Sequence, residues 1–497
     1  MSPLPADQEG GLMGTLRFLL AEPGQNAPIL DTQAAFLSNI DGHIFPMETE
    51  VQNGTFSCTR RNSDSTKLNI PCHVQGYGQP MLKTCSLREQ EAPYLLLLEL
   101  ARGQLSELRE HASAWELAGM QIPKAFLKLN QECFQAFRNA QLHRTDPTKS
   151  NEYASQALEL SMKASDALMA SYVQQRSLAR RKINHNLPVL LGVEFGNHEI
   201  EQTLEPTVTQ LFDAGGIGLN WKAIEQQEGE YNWDVADQQV EFCEKHKLVM
   251  RSQPLLDFGP DGLPEWLRPW SSDVLNMQSF LIDYVEHVMG KYASKIRLWE
   301  VATSVAQGGV FSLSEENRLG LCAKLIEVGR RVDDENQLFV RFDEPFGDYL
   351  KKGEHRLSPL QFADALIRSR AGLAGISLHL KIGPLSRRTR LRELLKLSRL
   401  IDNWGIFGLP IHVTLTCPSA EPEVDSIATP EWKDHWSEKV QADWTDHILP
   451  LLMAKQPVTA VFWSPLIDSP DDIYKPGLVT ADLKPKAVCD RLHQFRK

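Results

Sequence analysis

With 497 residues, the chain is too long for one ordinary hydrophobic core, so two or three domains are expected. Its 42% apolar and 23% charged residues are typical of a water-soluble globular protein. The net charge of −12 argues against nucleic acid or an anionic membrane as the main partner, because both would repel the chain.

The sequence shows neither a membrane-spanning run nor a signal-peptide pattern, and we therefore expect a cytoplasmic protein. No apolar run reaches the roughly 20 residues that a membrane-spanning helix needs. The N-terminal stretch has no basic region, and Arg17 interrupts its apolar run, so it does not resemble a signal peptide.

The eight cysteines show neither Cys-x-x-Cys pairs nor zinc-ligand spacing, which favours reduced thiols. A Cys58–Cys72 or Cys72–Cys85 disulfide is the alternative. The isolated histidines that also lack ligand spacing are His198, His412 and His435. We therefore predict no metal and no cofactor.

Residues 1–92 carry short apolar runs separated by turn-forming residues. The runs typical of strands include Gly42–Met47, Gly54–Thr59 and Leu68–Val74. Short strands at this spacing bury one face against a second sheet, which predicts a small β-sandwich-like domain. By analogy with modules that accompany carbohydrate enzymes, this domain is expected to be like a carbohydrate-binding module.

Residues 93–185 change to helical periodicity. Tyr94–His111, Lys124–Leu142 and Asn151–Arg181 carry apolar residues three and four positions apart. Asp146-Pro147 is typical of a turn followed by a helix start. The segment is predicted to be a helical hairpin or linker, and its surface is a candidate interaction site for a protein partner of unknown identity.

Residues 186–497 alternate between strand and helix patterns. Eight runs are predicted to be strands: Val189–Phe195, Gly216–Trp221, Leu248–Leu256, Ile296–Thr303, Leu338–Phe342, Gly375–Lys381, Ile411–Cys417 and Thr459–Ile467. Eight strand–helix units over about 310 residues predict an α/β fold of the (β/α)8 TIM barrel class. The basic run 387–392 after the sixth strand is expected to begin a solvated helix.

Several segments of this barrel match the motifs of one enzyme family in its order. The second predicted strand runs into Asn220-Trp-Lys-Ala-Ile-Glu, which continues to Asp237. The third is Val249-Met-Arg-Ser-Gln-Pro-Leu-Leu-Asp257, followed by Leu263-Pro-Glu-Trp-Leu267. The fourth is Leu298-Trp-Glu-Val-Ala-Thr-Ser304.

The later motifs follow in the same order. They are Leu409-Pro-Ile-His-Val-Thr-Leu415, Val461-Phe-Trp-Ser464, Gly477-Leu478 and Lys484-Pro-Lys-Ala487. Over about residues 188–495 the chain resembles the family 10 glycoside hydrolases, the endo-β-1,4-xylanases. The resemblance implies a carbohydrate-associated TIM barrel whose partner is a poly- or oligosaccharide of the xylan type.

The resemblance also identifies the catalytic positions, and both are substituted. Family 10 enzymes use one Glu that ends the strand-four motif and a second that ends the strand-seven motif. Here the matching residues are Ser304 and Leu415. Retaining glycosidases need two carboxyl groups across the scissile bond, so no intact catalytic pair is expected. Glu300 lies four residues earlier, too deep in the barrel, and is expected to be a structural acid.

Other polar and aromatic residues fall at the carboxyl ends of the predicted strands, where barrels bind ligands. The candidate ligand-binding residues are Gln253, Asp257, Trp266, Thr303, Ser304, Asp343, Glu344, His379, Trp463 and Asp468. Trp266 or Trp463 is a candidate platform for a sugar ring, and the alternative for each is a packing role.

Three hypotheses follow from this pattern. The favoured one is a pseudoenzyme that binds a glycan and lacks retaining hydrolase activity. The second is an active O-glycosyl hydrolase that uses the displaced acids Asp257, Glu344 and Asp468. The third is an interaction scaffold that works through the helical hairpin.

Overall fold

A computed structural model describes residues 14–21, 29–61, 63–183, 188–260, 262–310, 313–383, 390–421 and 430–496. The chain divides into two compact units. The first comprises residues 1–172 with 350–354, and the second comprises 173–349 with 355–497. No helix in the described part of the chain combines the length and the apolarity that crossing a bilayer requires.

The first unit begins with two four-stranded sheets. Its strands are β1 (Gly14–Leu19), β2 (Phe36–Ser38), β3 (Ile44–Phe45), β4 (Glu48–Gln52), β5 (Thr55–Arg60), β6 (Lys67–Pro71), β7 (Met81–Lys83) and β8 (Tyr94–Leu95). One sheet has the order β4-β5-β1-β8 and the other β3-β2-β6-β7. Leu16 and Phe18 of β1 alternate with exposed or half-buried neighbours, so one face of that sheet faces the core. The predicted β-rich N-terminal fold is confirmed.

Three helices follow the sheets: α1 (Leu96–Leu117), α2 (Lys124–Leu142) and α3 (Pro147–Ile183). Leu97, Cys133 and Leu158 of these helices share a core with the strands. Gly103 lets α1 approach β7, because a Cβ there would lie 2.0 Å from the carbonyl oxygen of Lys83. All eight cysteines are free thiols, so neither proposed disulfide forms.

The second unit is a closed parallel barrel. Its strands are β9 (Leu190–Glu194), β10 (Ala214–Ile217), β11 (Val249–Ser252), β12 (Leu256–Asp257), β13 (Leu298–Thr303), β14 (Gln337–Phe342), β15 (Gly375–Lys381), β16 (Ile411–Thr416) and β17 (Val458–Trp463). Neighbours pair in parallel, and β17 pairs with β9 to close the ring. Since β11 and β12 are two halves of one strand position, the barrel has eight strands and the predicted TIM barrel is confirmed.

Helices connect these strands on the outside. They are α4 (Glu205–Leu211), α5 (Trp221–Ile224), α6 (Asp234–His246), α7 (Val274–Tyr292), α8 (Glu315–Val332), α9 (Pro359–Arg368), α10 (Leu394–Gly405), α11 (Glu438–Ala454) and α12 (Ala487–Arg496). Side chains fix several starts: Asp273 caps α7, Ser314 caps α8, and Ser358 forms a capping box with Gln361 at α9.

Two element boundaries differ from the sequence predictions. The second barrel strand ends at Ile217 rather than Trp221, because Asn220 accepts the Lys222 N–H and starts the short helix α5. The described part of the basic run after the sixth strand, residues 390–392, does not begin a solvated helix, and residues 387–389 lie outside the described residues. In its described part Arg392 is buried against Asp348, and α10 begins only at Leu394.

Candidate functional site

The barrel interior contains four charged side chains from four strands. Arg251 donates to Glu194 at 2.6 Å and lies 3.1 Å from Glu300. Arg341 donates to both acids. These four residues, Glu194, Arg251, Glu300 and Arg341, form the interior ion network, and each is at most 4% exposed. Two carboxylates and two guanidinium groups neutralise each other, which offsets the cost of burying charge.

The interior ion network holds Glu194 ionised. Burial opposes ionisation of Glu194, but Arg341 and Arg251 more than offset it and lower the pKa to about 2. Glu300 also accepts the Ser377 hydroxyl and is fully buried. Glu300 is therefore a structural acid below the strand ends, as the sequence indicated.

Above this network, Asp343 organises the carboxyl ends of β13, β14 and β15. Its Oδ2 accepts the Ser304 backbone N–H at 3.0 Å, the Ser304 hydroxyl at 3.4 Å and the Thr303 hydroxyl. Its Oδ1 accepts from His379 Nδ1 at 3.0 Å and lies 3.3 Å from Lys381 Nζ. A carboxylate has about four lone-pair sites, so Asp343 has little capacity left for a ligand.

We call Asp343 and its partners Thr303, Ser304, His379 and Lys381 the strand-end cluster. Electrostatics fix the protonation states of Asp343 and His379 within it. Burial alone would raise the pKa of Asp343, but Lys381 and His379 outweigh it and hold that pKa well below its usual range. Burial and Lys381 lower the pKa of His379 to about 4. His379 is therefore neutral near pH 7, and its Nε2 lies 2.8 Å from the hydroxyl of Thr416. Neither group is suited to donate a proton to a leaving alkoxide at that pH.

The two positions that the sequence resemblance assigns to catalytic glutamates hold Ser304 and Leu415, whose side chains carry no carboxyl group. Leu415 is 2% exposed in β16. Ser304 follows β13 with a φ of +56°, in the left-handed region that favours glycine. The loop after β12 passes close to it, since a Cβ at Gly259 would lie 3.1 Å from Ser304 Oγ. Ser304 is therefore hydrogen-bonded to Asp343 and only partly exposed.

The strand-end cluster leaves little space. The described residues around Asp343, His379 and Lys381 border a cavity of about 20 Å³. A water molecule fits in such a volume. Small-molecule sites have volumes from ~300 Å³ upward, so this cavity is too small for a sugar ring.

Trp463 and Asp468 lie in packed surroundings. Trp463 is 3% exposed, and its Nε1 donates to the Pro476 carbonyl at 3.1 Å. Asp468 is buried with Lys486, whose Nζ lies 2.6 Å away, and it also accepts the Gly477 N–H at 2.7 Å. Neither side chain is presented as an open platform or a free acid.

The remaining candidates contact neighbouring groups of their own chain. Gln253 donates to the Gly216 carbonyl at 3.0 Å, and Asp257 accepts the Gly259 N–H at 2.8 Å. Glu344 borders a crevice with no room for water. Trp266 is half-buried and donates to the Glu225 carbonyl at 3.1 Å, with its ring packed edge-on against aromatic neighbours.

A larger depression lies beside the mouth, between the loops after β12 and β13. It has a volume of about 610 Å³, within the range of ligand sites. Its lining includes Pro260, Leu263, Pro264, Glu265, Arg268, Ser271, Ser272, Val274, Gly309, Val310, Leu313 and Asn317. We call this depression the loop groove.

Sequence reasoning missed several residues that shape this region. Lys381 and Lys486, which neutralise Asp343 and Asp468, were not selected. Arg251 and Arg341 interrupt otherwise apolar strands, and an arginine at such a position signals a buried ion pair. Among the described residues no cluster of His, Cys, Asp and Glu has the arrangement to hold a metal ion.

Comparisons with known proteins agree with the geometry of the barrel. Residues 207–313 match the sequence model described as Glycosyl hydrolase family 10. An endo-1,4-beta-xylanase 5-like protein of Arabidopsis thaliana is 23% identical over 225 residues, 42% of this chain and 36% of the relative. Endo-1,4-beta-xylanase 1 of Gibberella zeae is 28% identical over 83 residues, 17% of this chain and 23% of the relative. The matched stretches thus span about a third or less of these relatives.

Solved structures include xylanase 10B from Thermotoga maritima, with a TM-score of 0.49 and 16% identity over 64% of this chain and 98% of that one. The family 10 structure from Paenibacillus barcinonensis has a TM-score of 0.48 and 15% identity, covering 62% and 95%. By its eight-stranded fold and its sequence matches, the second unit is a barrel like that of glycoside hydrolase family 10.

Proposed function

We propose that this barrel binds a glycan and does not hydrolyse it by the retaining mechanism. The observation that carries the proposal is the pair Ser304 and Leu415 at the positions of the family's two glutamates. Retaining hydrolysis needs a nucleophilic carboxylate and a second carboxyl group ~5–5.5 Å away. A hydroxyl bound to Asp343 and a buried isobutyl group supply neither.

The displaced acids do not favour an active hydrolase. Asp468 is neutralised by Lys486, and Asp257 is engaged by the backbone of its own loop. Asp343, the best-ordered acid at the strand ends, is surrounded by five donor groups. An acid in such surroundings stays ionised and offers little nucleophilicity, because its lone pairs are occupied.

A glycan is the expected ligand because the sequence relatives are named endo-1,4-beta-xylanases. Xylan-type chains carry little charge, which agrees with a protein whose net charge of −12 would repel acidic polymers. A barrel without the two catalytic glutamates still has the strand-end loops that bind ligands in TIM barrels. The cytoplasmic location inferred from the sequence belongs to the same proposal.

The test is an assay of the full chain on xylo-oligosaccharides and aryl β-xylosides, with binding measured on the same sample. We expect saturable binding and no turnover above the buffer rate. A Ser304→Glu/Leu415→Glu variant tests whether carboxyl groups at these positions can act in this barrel. Turnover by the unmodified chain that disappears in Asp257→Asn or Glu344→Gln would contradict the proposal and support the displaced-acid hydrolase.

A second candidate function is an interaction scaffold. The observation that favours it is the exposure of three leucines on the helices of the first unit, of which Leu127 and Leu142 of α2 are 53% and 71% exposed. Leu117 at the end of α1 is 87% exposed. Cross-linking of the full chain before and after Leu127→Asp/Leu142→Asp substitution tests it.

A further inference from the structure

The loop groove is rigid on both sides. Pro260 and Pro264 restrict the backbone of one wall. The two walls are tied together, because the Val310 N–H donates to the Phe258 carbonyl at 3.1 Å. On the second wall, the Arg318 guanidinium donates to the Val305 carbonyl at 2.8 Å and to the Leu313 carbonyl at 2.5 Å. A site formed before its ligand arrives loses less conformational entropy on binding.

The charges of the loop groove balance. Glu265 and Arg268 are its charged lining residues among those described, and Arg268 Nε lies 2.5 Å from Glu265 Oε2. The groove therefore offers paired acceptors and donors without a net charge. This balance disfavours phosphate, sulfate or a polyanion and favours a neutral ligand.

The helix ends beside the loop groove do not attract an anion either. Asp273 accepts the Leu275 and Asn276 N–H groups at the start of α7. Ser314 accepts the Asn317 N–H at the start of α8. Because these side chains already cap the two helices, the groove has little spare positive potential from helix dipoles.

The lining alternates apolar walls and hydrogen-bonding groups. Leu263 and Leu313 are buried beneath the surface, and the hydroxyls of Ser271 and Ser272 and the amide of Asn317 border the groove. A sugar ring presents C–H faces to apolar walls and hydroxyls to such polar groups. The combination fits a polyhydroxylated neutral ligand better than a purely apolar one.

We propose that the loop groove, rather than the small cavity beside Asp343, binds a short segment of a neutral oligosaccharide. The inference rests on the proposed glycan-binding function and adds the location of the site. It places the ligand on the strand-end side of the barrel, outside the strand-end cluster around Asp343.

The experiment measures binding of xylohexaose, cellohexaose and mannohexaose to the full chain by calorimetry. Ser272→Trp fills the groove from an exposed position at the start of α7. Ser294→Trp is the matched control, since Ser294 is exposed just beyond the other end of the same 19-residue helix, about 28 Å away. We expect at least one hexaose to bind, with affinity at least tenfold weaker in Ser272→Trp and unchanged in Ser294→Trp.

A second measurement locates the ligand without relying on one substitution. Hydrogen exchange with and without the bound hexaose should show protection in residues 262–275 and 313–318. Thermal unfolding of both Trp variants verifies that they remain folded. Equal affinity in both variants, with protection elsewhere, would overturn the groove and leave glycan binding intact. Failure of the folded wild-type chain to bind any of the hexaoses would overturn the glycan-binding function itself.

Discussion

At the scale of single residues, His379 links the strand-end cluster to pH. Its pKa is lowered to about 4 by burial and Lys381, whereas an unfolded chain has a histidine pKa of about 6.5. Between these values the unfolded chain binds more protons. The free energy of unfolding therefore falls as pH decreases through this window. The stabilising effect of neutral His379 is fully present above pH 6.5.

The first prediction concerns the variant His379→Gln. Between pH 6.5 and pH 5.0 the wild type should lose about 1.5 kcal/mol more unfolding free energy through this residue than the variant, because the unfolded histidine goes from half to almost fully protonated over this range. Urea unfolding at both pH values measures the difference. Other titrating groups, including buried His412, are common to both proteins and cancel. Parallel stability curves would show that His379 is not the cause.

The identities of Ser304 and Leu415 could be read from the sequence because neighbouring motifs fix their register. The contacts made by the side chains around them could not be predicted in this way. Lys381 lies two residues beyond His379 on the same face of β15, but its approach to Asp343 depends on the position of a different strand. Contacts of this kind come from barrel closure, which a local pattern does not encode.

At the scale of elements, Arg318 controls the loop between β13 and α8. Its guanidinium donates to the carbonyls of Val305, Ala306 and Leu313, and the side chain is buried. These carbonyls have a charged donor that a neutral side chain cannot replace. Bonds to charged groups contribute ~1.5–3 kcal/mol each, and loss of the donor leaves buried acceptors unsatisfied.

The second prediction follows for Arg318→Met. We expect the free energy of unfolding to fall by about 3 kcal/mol and amide exchange in residues 305–310 to increase by at least tenfold. Arg331→Met is the control, because Arg331 lies on the same helix, is 63% exposed and makes only a 3.4 Å contact with Glu286. It should change stability by less than about 0.5 kcal/mol. Unchanged amide exchange in residues 305–310 of Arg318→Met would show that Arg318 does not hold this loop in place.

The elements themselves were largely predictable, and the departures have local causes. The third strand is split at Pro254, which has no N–H to donate to the ladder, and the Leu255 N–H then bonds to the Glu300 carbonyl of β13 at 2.9 Å. Helices α7 and α8 begin after the strong N-caps Asp273 and Ser314, which precede amphipathic runs. Glu393 precedes α10 without a capping bond, and there the predicted start was wrong.

At the scale of the whole molecule, eight alternating strand and helix patterns were enough to predict the barrel, because parallel strands need helical crossovers. The packing of its strand-end loops was not predictable. The loop after β12 approaches Ser304 because the Phe258 N–H bonds to the Thr303 carbonyl at 3.1 Å, which places Gly259 beside the serine hydroxyl. Loop packing of this kind depends on contacts distant in sequence.

The third prediction concerns the interior ion network, which joins β9, β11, β13 and β14 across the barrel. Arg341→Met leaves Glu194 and Glu300 with one guanidinium, and should cost about 3–5 kcal/mol of unfolding free energy. Glu300→Gln leaves an excess of positive charge and should also destabilise. The double variant restores neutrality, so it should be at least ~1 kcal/mol more stable than the two separate effects would predict.

Urea unfolding of the two single variants and the double variant measures this coupling. The matched cycle uses Arg331→Met and Glu286→Gln, whose exposed side chains lie 3.4 Å apart on α8 and α7. Water screens that pair, so its coupling should be below about 0.5 kcal/mol. If the interior cycle gave no more coupling than the exposed one, the four charges would not act as a unit. Arg341 and Glu300 would then contribute to stability independently of each other, and neutralising both would cost as much as the sum of the two single substitutions.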